Sequence, residues 1–253
     1  MIELVWQSLL LPLAIAVALG YAGRNTPAWP VAAPVAFAAA WYSIEGRVPL
    51  VGGLGIIDAL PVALLVFAGL SLVTHARAAR AVATVSAAAL LALIAGKFIS
   101  QIDVAGWAVT ALTLALPIVA ARRPSVDGVA WHRLLWLAPI FIVALAMLTD
   151  SSIRLFQLAS AAGFGVAGVV LVQLNTARFQ PLAVAVVMWA VLWSALHWVQ
   201  LDWRVVVLSL TPLVALLWSN ARSLRVFAVG AATGVIALGL SIWLVFPAST
   251  GGY

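Results

Sequence analysis

The sequence contains no cysteine, which excludes disulfides, thiolate catalysis and Cys-ligated zinc or iron–sulfur sites. It is also poor in charge. Only 8% of its 253 residues are Asp, Glu, Lys or Arg, against about a quarter in a soluble domain of this size. So few charges cannot cover a water-facing surface, whereas lipid tails solvate apolar side chains readily. Histidine is scarce too. His75, His132 and His197 are too far apart for two to share a helix, so a stacked pair of haem ligands is missing. The metalloprotease His-Glu-x-x-His, the Gly-x-Ser-x-Gly elbow and the phosphate-binding Gly-x-x-x-x-Gly-Lys-Ser/Thr are all absent. No catalytic residue, metal or cofactor is expected on these grounds.

What the sequence has in abundance is apolar: 66% of residues are hydrophobic and the mean hydropathy is +1.18. A membrane-crossing helix needs about 20 such residues. Ten stretches qualify, near 4–22, 29–43, 50–74, 81–100, 104–121, 134–149, 155–174, 181–199, 205–219 and 226–246. The expected fold is all-α: a polytopic transmembrane helix bundle with short loops, forming one domain over residues 1–253. The second, sixth and ninth stretches are short, and two of them could form a re-entrant pair, leaving eight full spans. Met1-Ile2-Glu3 lacks a basic leader, so the first stretch is expected to be a span rather than a cleaved signal.

A net charge of +6 would point to nucleic acid in a soluble protein. Here its distribution points to orientation instead. Nine of the thirteen Lys and Arg fall in the odd connections: Arg24, Arg77, Arg80, Arg122, Arg123, Arg133, Arg178, Arg222 and Arg225. The even connections hold Arg47, Lys97, Arg154 and Arg204, accompanied by Glu45, Asp103, Asp150 and Asp202. Basic residues gather on the cytoplasmic side. Odd connections are therefore expected inside and both termini on the non-cytoplasmic side. The expected setting is an integral protein of a prokaryotic cytoplasmic (inner) membrane, with the lipid bilayer as partner and no nucleic acid.

The outer acids recur roughly every fifty residues, a period suited to repeated helical pairs. The inner ends share an Ala-Arg close, at 74–77, 119–123, 175–178 and 219–222. Independent obedience of each hairpin to the orientation rule explains the same pattern. Small residues recur at four-residue spacing in Ala32, Ala36 and Ala40, in Thr84, Ala88, Ala92 and Gly96, and in Gly230 and Gly234. Such faces let helices pack closely where lipid gives them no hydrophobic reason to associate. Packing inside one bundle is the expectation for Gly230 and Gly234, with self-association the alternative. Ten of the twelve tryptophans (6, 29, 41, 107, 131, 136, 198, 203, 218 and 243) lie near helix ends, as an interfacial belt requires.

Polar residues within the apolar stretches are the candidate pathway. Asp58 follows Gly52-Gly53-Leu54-Gly55 and precedes Pro61. That pattern fits a broken helix with a functional carboxylate, or a plain helix cap with a helix starting at Ala59. Trp189, Trp193 and His197 are spaced i, i+4, with Gln200 three beyond, so one helical face carries two indoles, an imidazole and an amide. That face could line an outward-opening pocket, or form a tryptophan belt with a snorkelling histidine. Ser209, Thr211 and Pro212 mark a kink in the ninth stretch, where a hydroxyl can satisfy the carbonyl that proline frees. Lys97 with Gln101, and Arg154 with Gln157, are expected as snorkelling pairs. Two functions fit: a permease-like protein moving a small solute or lipid-like molecule, or an accessory or scaffold subunit bound to membrane-protein partner subunits.

Overall fold

The computed structural model describes residues 2–26, 28–48, 56–73, 79–95, 102–121, 130–150, 153–176, 179–218 and 223–250. Among these there are ten helical segments and no strand. They are α1 (2–23), α2 (29–45), α3 (Ile56–Val73), α4 (Ala79–Ala95), α5 (Val104–Ala120), α6 (131–150), α7 (Ile153–Gln173), α8 (Pro181–Trp198), α9 (Trp203–Leu217) and α10 (Ser223–Thr250). Arg77, Arg122, Arg123, Arg178, Arg222, His75, Lys97, Gln101, Gly96 and the glycines at 52, 53 and 55 lie outside the described residues.

Local chemistry sets the helix ends. Asp103 caps α5 by accepting from the Gly106 N–H at 2.7 Å, and Asp202 caps α9 by accepting from the Arg204 N–H at 2.8 Å. Two of the recurring outer acids are thus helix caps. Gly46 ends α2 at φ +66°, a left-handed conformation that glycine adopts without strain. Pro181 opens α8 at a position where its missing N–H is no loss.

Five helices are long and apolar enough to cross a membrane: Glu3–Gly23, Trp131–Thr149, Ile153–Gln173, Pro181–Trp198 and Ser223–Phe246. They mark an integral membrane protein. The sixth stretch, expected short, belongs to this group, because its helix begins at Trp131 with a 3-10 turn. Ile57–Leu70, Val85–Ile94, Val104–Ala120 and Trp203–Leu217 are apolar but shorter.

α8 sits at the centre, against α2, α3, α4, α5, α6, α7 and α9. Burial follows: 78% of α8 is buried, against 22% of α1 and of α10 at the edges. The outer face of α10 exposes Val235, Ile236, Leu240, Trp243 and Phe246, as a helix against lipid tails would. Its opposite face packs inward. A Cβ at Gly230 would stand 2.5 Å from Leu135 of α6, and one at Gly234 would stand 3.3 Å from Pro212 of α9. α7 packs on α1 as tightly: a Cβ at Gly168 would lie 2.8 Å from the Ala16 Cβ.

Two sequence expectations change here. Ala32, Ala36 and Ala40 are buried, but Ala88 and Ala92 of α4 are exposed, while Ala87, Leu90 and Ile94 turn inward. The tryptophan belt also divides. Trp6, Trp131, Trp203, Trp218 and Trp243 are exposed, whereas Trp29, Trp41 and Trp136 are core residues. Trp29 stacks on Phe179, with ring centroids 5.9 Å apart.

Side-chain bonds show which helix ends meet. At one end Arg133 of α6 donates from Nη1 to the carbonyls of Gln173, Leu174 and Thr176 at the close of α7, and its guanidinium lies over Phe179. A cation at a helix C-terminus is favourable, because the unpaired carbonyls there carry partial negative charge. His132 meets Ser223 at the start of α10 at the same end, through Nδ1 at 2.9 Å. At the opposite end the close of α2 meets the start of α7 through Glu45 and Arg154.

Candidate functional site

Apart from the Arg133 and His132 contacts, two groups of polar side chains stand out among the described residues. The first is buried between α5 and α8. Trp189, Trp193 and His197 all face inward there, each less than 5% exposed. The two indoles stack nearly parallel at 5.9 Å.

Proline chemistry explains their partner. Pro117 lies inside α5 and has no N–H, so it leaves the carbonyl four residues earlier without its helical bond. That carbonyl belongs to Thr113, and the Trp189 Nε1–H donates to it at 2.9 Å. The Trp193 Nε1–H donates to the Thr113 hydroxyl at 2.7 Å, and that hydroxyl donates to the Thr110 carbonyl. One turn further, the Thr110 hydroxyl donates to the Gly106 carbonyl and lies 2.7 Å from His197 Nε2. With its own proton engaged, the Thr110 oxygen is free to accept from a His197 Nε2–H. Trp107 packs on the imidazole at 6.1 Å. Among the described residues the network runs from helix to helix, each donor meeting an acceptor within it.

Around it, α8 ends in a π-helical turn, Ser194–Trp198. Gln200 does not continue the face of Trp189, Trp193 and His197. It is exposed at φ +59° and reverses the chain, and the next N–H, of Leu201, closes on the Ala195 carbonyl at 3.0 Å. Thr211 lies in the α9 kink. Pro212 frees the carbonyl of Leu208, and the Thr211 hydroxyl donates to it at 2.8 Å, while Ser209 donates to Val206. These residues are structural partners of their own backbone.

The second place is the end of the bundle where α2, α3 and α7 meet. α3 is already helical at Ile56, so Asp58 lies within a helix rather than ahead of one starting at Ala59. Its Oδ1 is 2.8 Å from Arg47 Nη2, an ion pair without the angle of a hydrogen bond. Arg47 also stands 3.9 Å from the Glu45 carboxylate, and Arg154 grips Glu45 bidentately through Nε and Nη2. Arg154 therefore pairs with Glu45 of the neighbouring α2. The acids are sheltered, with side chains 1% and 6% exposed for Glu45 and Asp58; the arginines are open, at 54% for Arg154 and 41% for Arg47.

Beside this cluster lies a cavity of about 40 Å³ between α2, α3, α6, α7 and α8. Phe37, Leu64, Met147, Ala162 and Val187 form part of its wall, and Leu155, Trp198 and Val199 stand at the half-buried rim. Ser194 supplies a hydroxyl to the lining, and that hydroxyl already donates to the Ala190 carbonyl at 2.6 Å. Nothing in the sequence pattern signals this cavity, nor Thr110, Thr113, Glu45, Arg47 and Arg154 as a network. The one available signal was Pro117, which announces a free carbonyl at Thr113. Among the described residues no group of His, Asp and Glu has metal-binding geometry.

A carbonyl freed by Pro117 should allow a specific rescue. Trp189→Phe should destabilise the protein by about 1 kcal/mol beyond lost packing, the order of a buried hydrogen bond in membrane proteins. In a Pro117→Ala background the same substitution should cost less, because the introduced alanine brings back the helical N–H. Unfolding in mixed detergent measures both, and equal cost in both backgrounds would contradict the assignment.

Comparison with known proteins finds no matching family model, no matching curated protein and no matching solved structure.

Proposed function

We propose that this chain is a multi-pass permease-like protein that moves a small lipid-like molecule. The observation that carries this reading is the apolar cavity at one end of α8, beside a cluster of sheltered carboxylates and exposed arginines. A polar solute needs a path of unsatisfied or hydrated groups, and the α5–α8 network spends its donors and acceptors on each other. A molecule that is largely hydrocarbon needs no such path. A buried carboxylate in a membrane protein is costly and usually retained for use, which supports a working role for Asp58.

The orientation belongs to the same proposal: ten spans, odd connections in the cytoplasm, both ends of this sequence outside, in a prokaryotic cytoplasmic membrane. The charge cluster then faces the non-cytoplasmic side and Arg133 the cytoplasmic side. The nine-to-four division of basic residues supports it.

A second reading, an accessory or scaffold subunit of a larger membrane complex, draws on the closed centre and on the exposed apolar face of α10. Purification in mild detergent separates the two, since a scaffold elutes with fixed companions.

Two outcomes are expected. In proteoliposomes, the protein should speed the loss of a fluorescent single-chain lipid from the inner leaflet, read by an impermeant quencher. Ala190→Phe, which fills the cavity, should slow that loss at least tenfold. Wild-type vesicles no faster than empty ones would refute the transport reading. For orientation, the cysteine-free background allows single cysteines. Val104→Cys, at an exposed position, should react with an impermeant maleimide in intact cells, and Thr26→Cys only after permeabilisation. The reverse pattern would invert the topology.

A further inference from the structure

We infer that the C-terminal end of α1 binds the head group of an anionic phospholipid, with Arg24 gripping the phosphate over Tyr21 and an acyl chain lying along the helix. The inference stands apart from transport.

Helix length sets the depth. The apolar part of α1 is Glu3–Gly23, 21 residues. At helical rise that is about 31 Å, against a hydrocarbon core of about 30 Å. Arg24 is the next residue, so its guanidinium stands at the level of lipid phosphates. α1 is also an edge helix, only 22% buried. Trp6, Leu10, Ala14, Val17 and Tyr21 follow one another in steps of three or four residues, and all are exposed. They form one strip along the helix, which Arg24 continues. An acyl chain on that strip brings its head group to Arg24.

The guanidinium is held ready. Its Cζ lies 3.9 Å from the centre of the Tyr21 ring. The turn behind it is fixed, because the Thr26 N–H and hydroxyl both donate to the Gly23 carbonyl, at 2.9 and 3.0 Å. Gly23 in turn lies against the Trp29 backbone, which a Cβ would approach to 3.3 Å. Among the described residues no carboxylate pairs with Arg24. Its planar donors suit two oxygens of a phosphate.

Charge at this end favours an anionic lipid. Trp29 stacks on Phe179, and Arg133 lies over Phe179, so Arg24 and Arg133 share one end of the bundle. Glu3, Glu45, Asp58, Asp103 and Asp202 stand at the other end. A zwitterionic head group would bring a further cation here, and an anionic one does not.

The test places a fluorophore on Ala22→Cys, an exposed position beside the pair, in vesicles of phosphatidylcholine. Chain-nitroxide phosphatidylglycerol and chain-nitroxide phosphatidylcholine are compared as quenchers at equal mole fraction. The anionic lipid should associate about fivefold more strongly, the order that one arginine contributes against anionic lipid. Arg24→Gln should erase that preference, and Tyr21→Leu should weaken it. A fluorophore on Val104→Cys, at the opposite end, should show no preference. Should Arg24→Gln fail to insert, Tyr21→Leu and the Val104→Cys comparison still decide. Equal quenching by both lipids at Ala22→Cys would overturn the site. A preference that survives Arg24→Gln would reduce it to the general charge of that end and would overturn it too. A preference abolished by inorganic phosphate, but not by chloride of equal ionic strength, would mark a soluble-anion site and contradict the lipid.

Discussion

The carbonyl that Pro117 leaves free inside α5 shows the constraint on which this structure depends. In hydrocarbon there is no water to take such a group, so another part of the protein must. Trp189 of α8 does so, and Trp193 and His197 follow at one-turn intervals onto Thr113 and Thr110. A row of bonds fixes α8 against α5 in rotation and in height. With α8 held, the other helices pack around it, and it becomes the most buried helix of the five long ones. Pro212 poses the same problem in α9 and is answered within its own turn by Thr211. The two solutions differ in consequence: the first joins helices, the second only bends one.

Charge is sorted to the two ends by the same constraint. Arg133 is buried, and it is tolerated because three carbonyls at the close of α7 receive its protons. At the other end Glu45, Arg47, Asp58 and Arg154 join α2, α3 and α7. Breaking one partner of such a sheltered pair costs more than the pair contributes, because it leaves an uncompensated charge. The cluster therefore does two jobs. It ties three helices together at one end of the bundle, and it neutralises two sheltered carboxylates with two partly open arginines.

The helices were largely legible from the sequence, because length and hydropathy respond directly to a bilayer. The i, i+4 spacing of Trp189, Trp193 and His197 fixed their common face. What that face meets could not be read, since Thr110 and Thr113 lie about eighty residues away and carry no hydropathy signal. Pairing of Arg154 with Glu45 spans 109 residues and was hidden for the same reason. Position near a helix end did not separate Trp29, Trp41 and Trp136, which are core, from the exposed tryptophans. Hydropathy measures what a residue is, and only packing says which way it points. Ala88 and Ala92 are the converse case: small residues at packing spacing that are nonetheless exposed.

The central claim is that these helices pack as one bundle inside a bilayer, with α8 at its heart and α10 at its lipid edge. A spin-label scan along residues 232–243 of α10 in liposomes tests it most directly. Collisions with oxygen should rise and fall with helical period, high at Val235, Ile236, Leu240 and Trp243 and low at Gly234, Ala237 and Ser241. A water-soluble nickel relaxer should reach none of the central positions. Uniform oxygen access along α10, or nickel access at Ile236, would contradict the account.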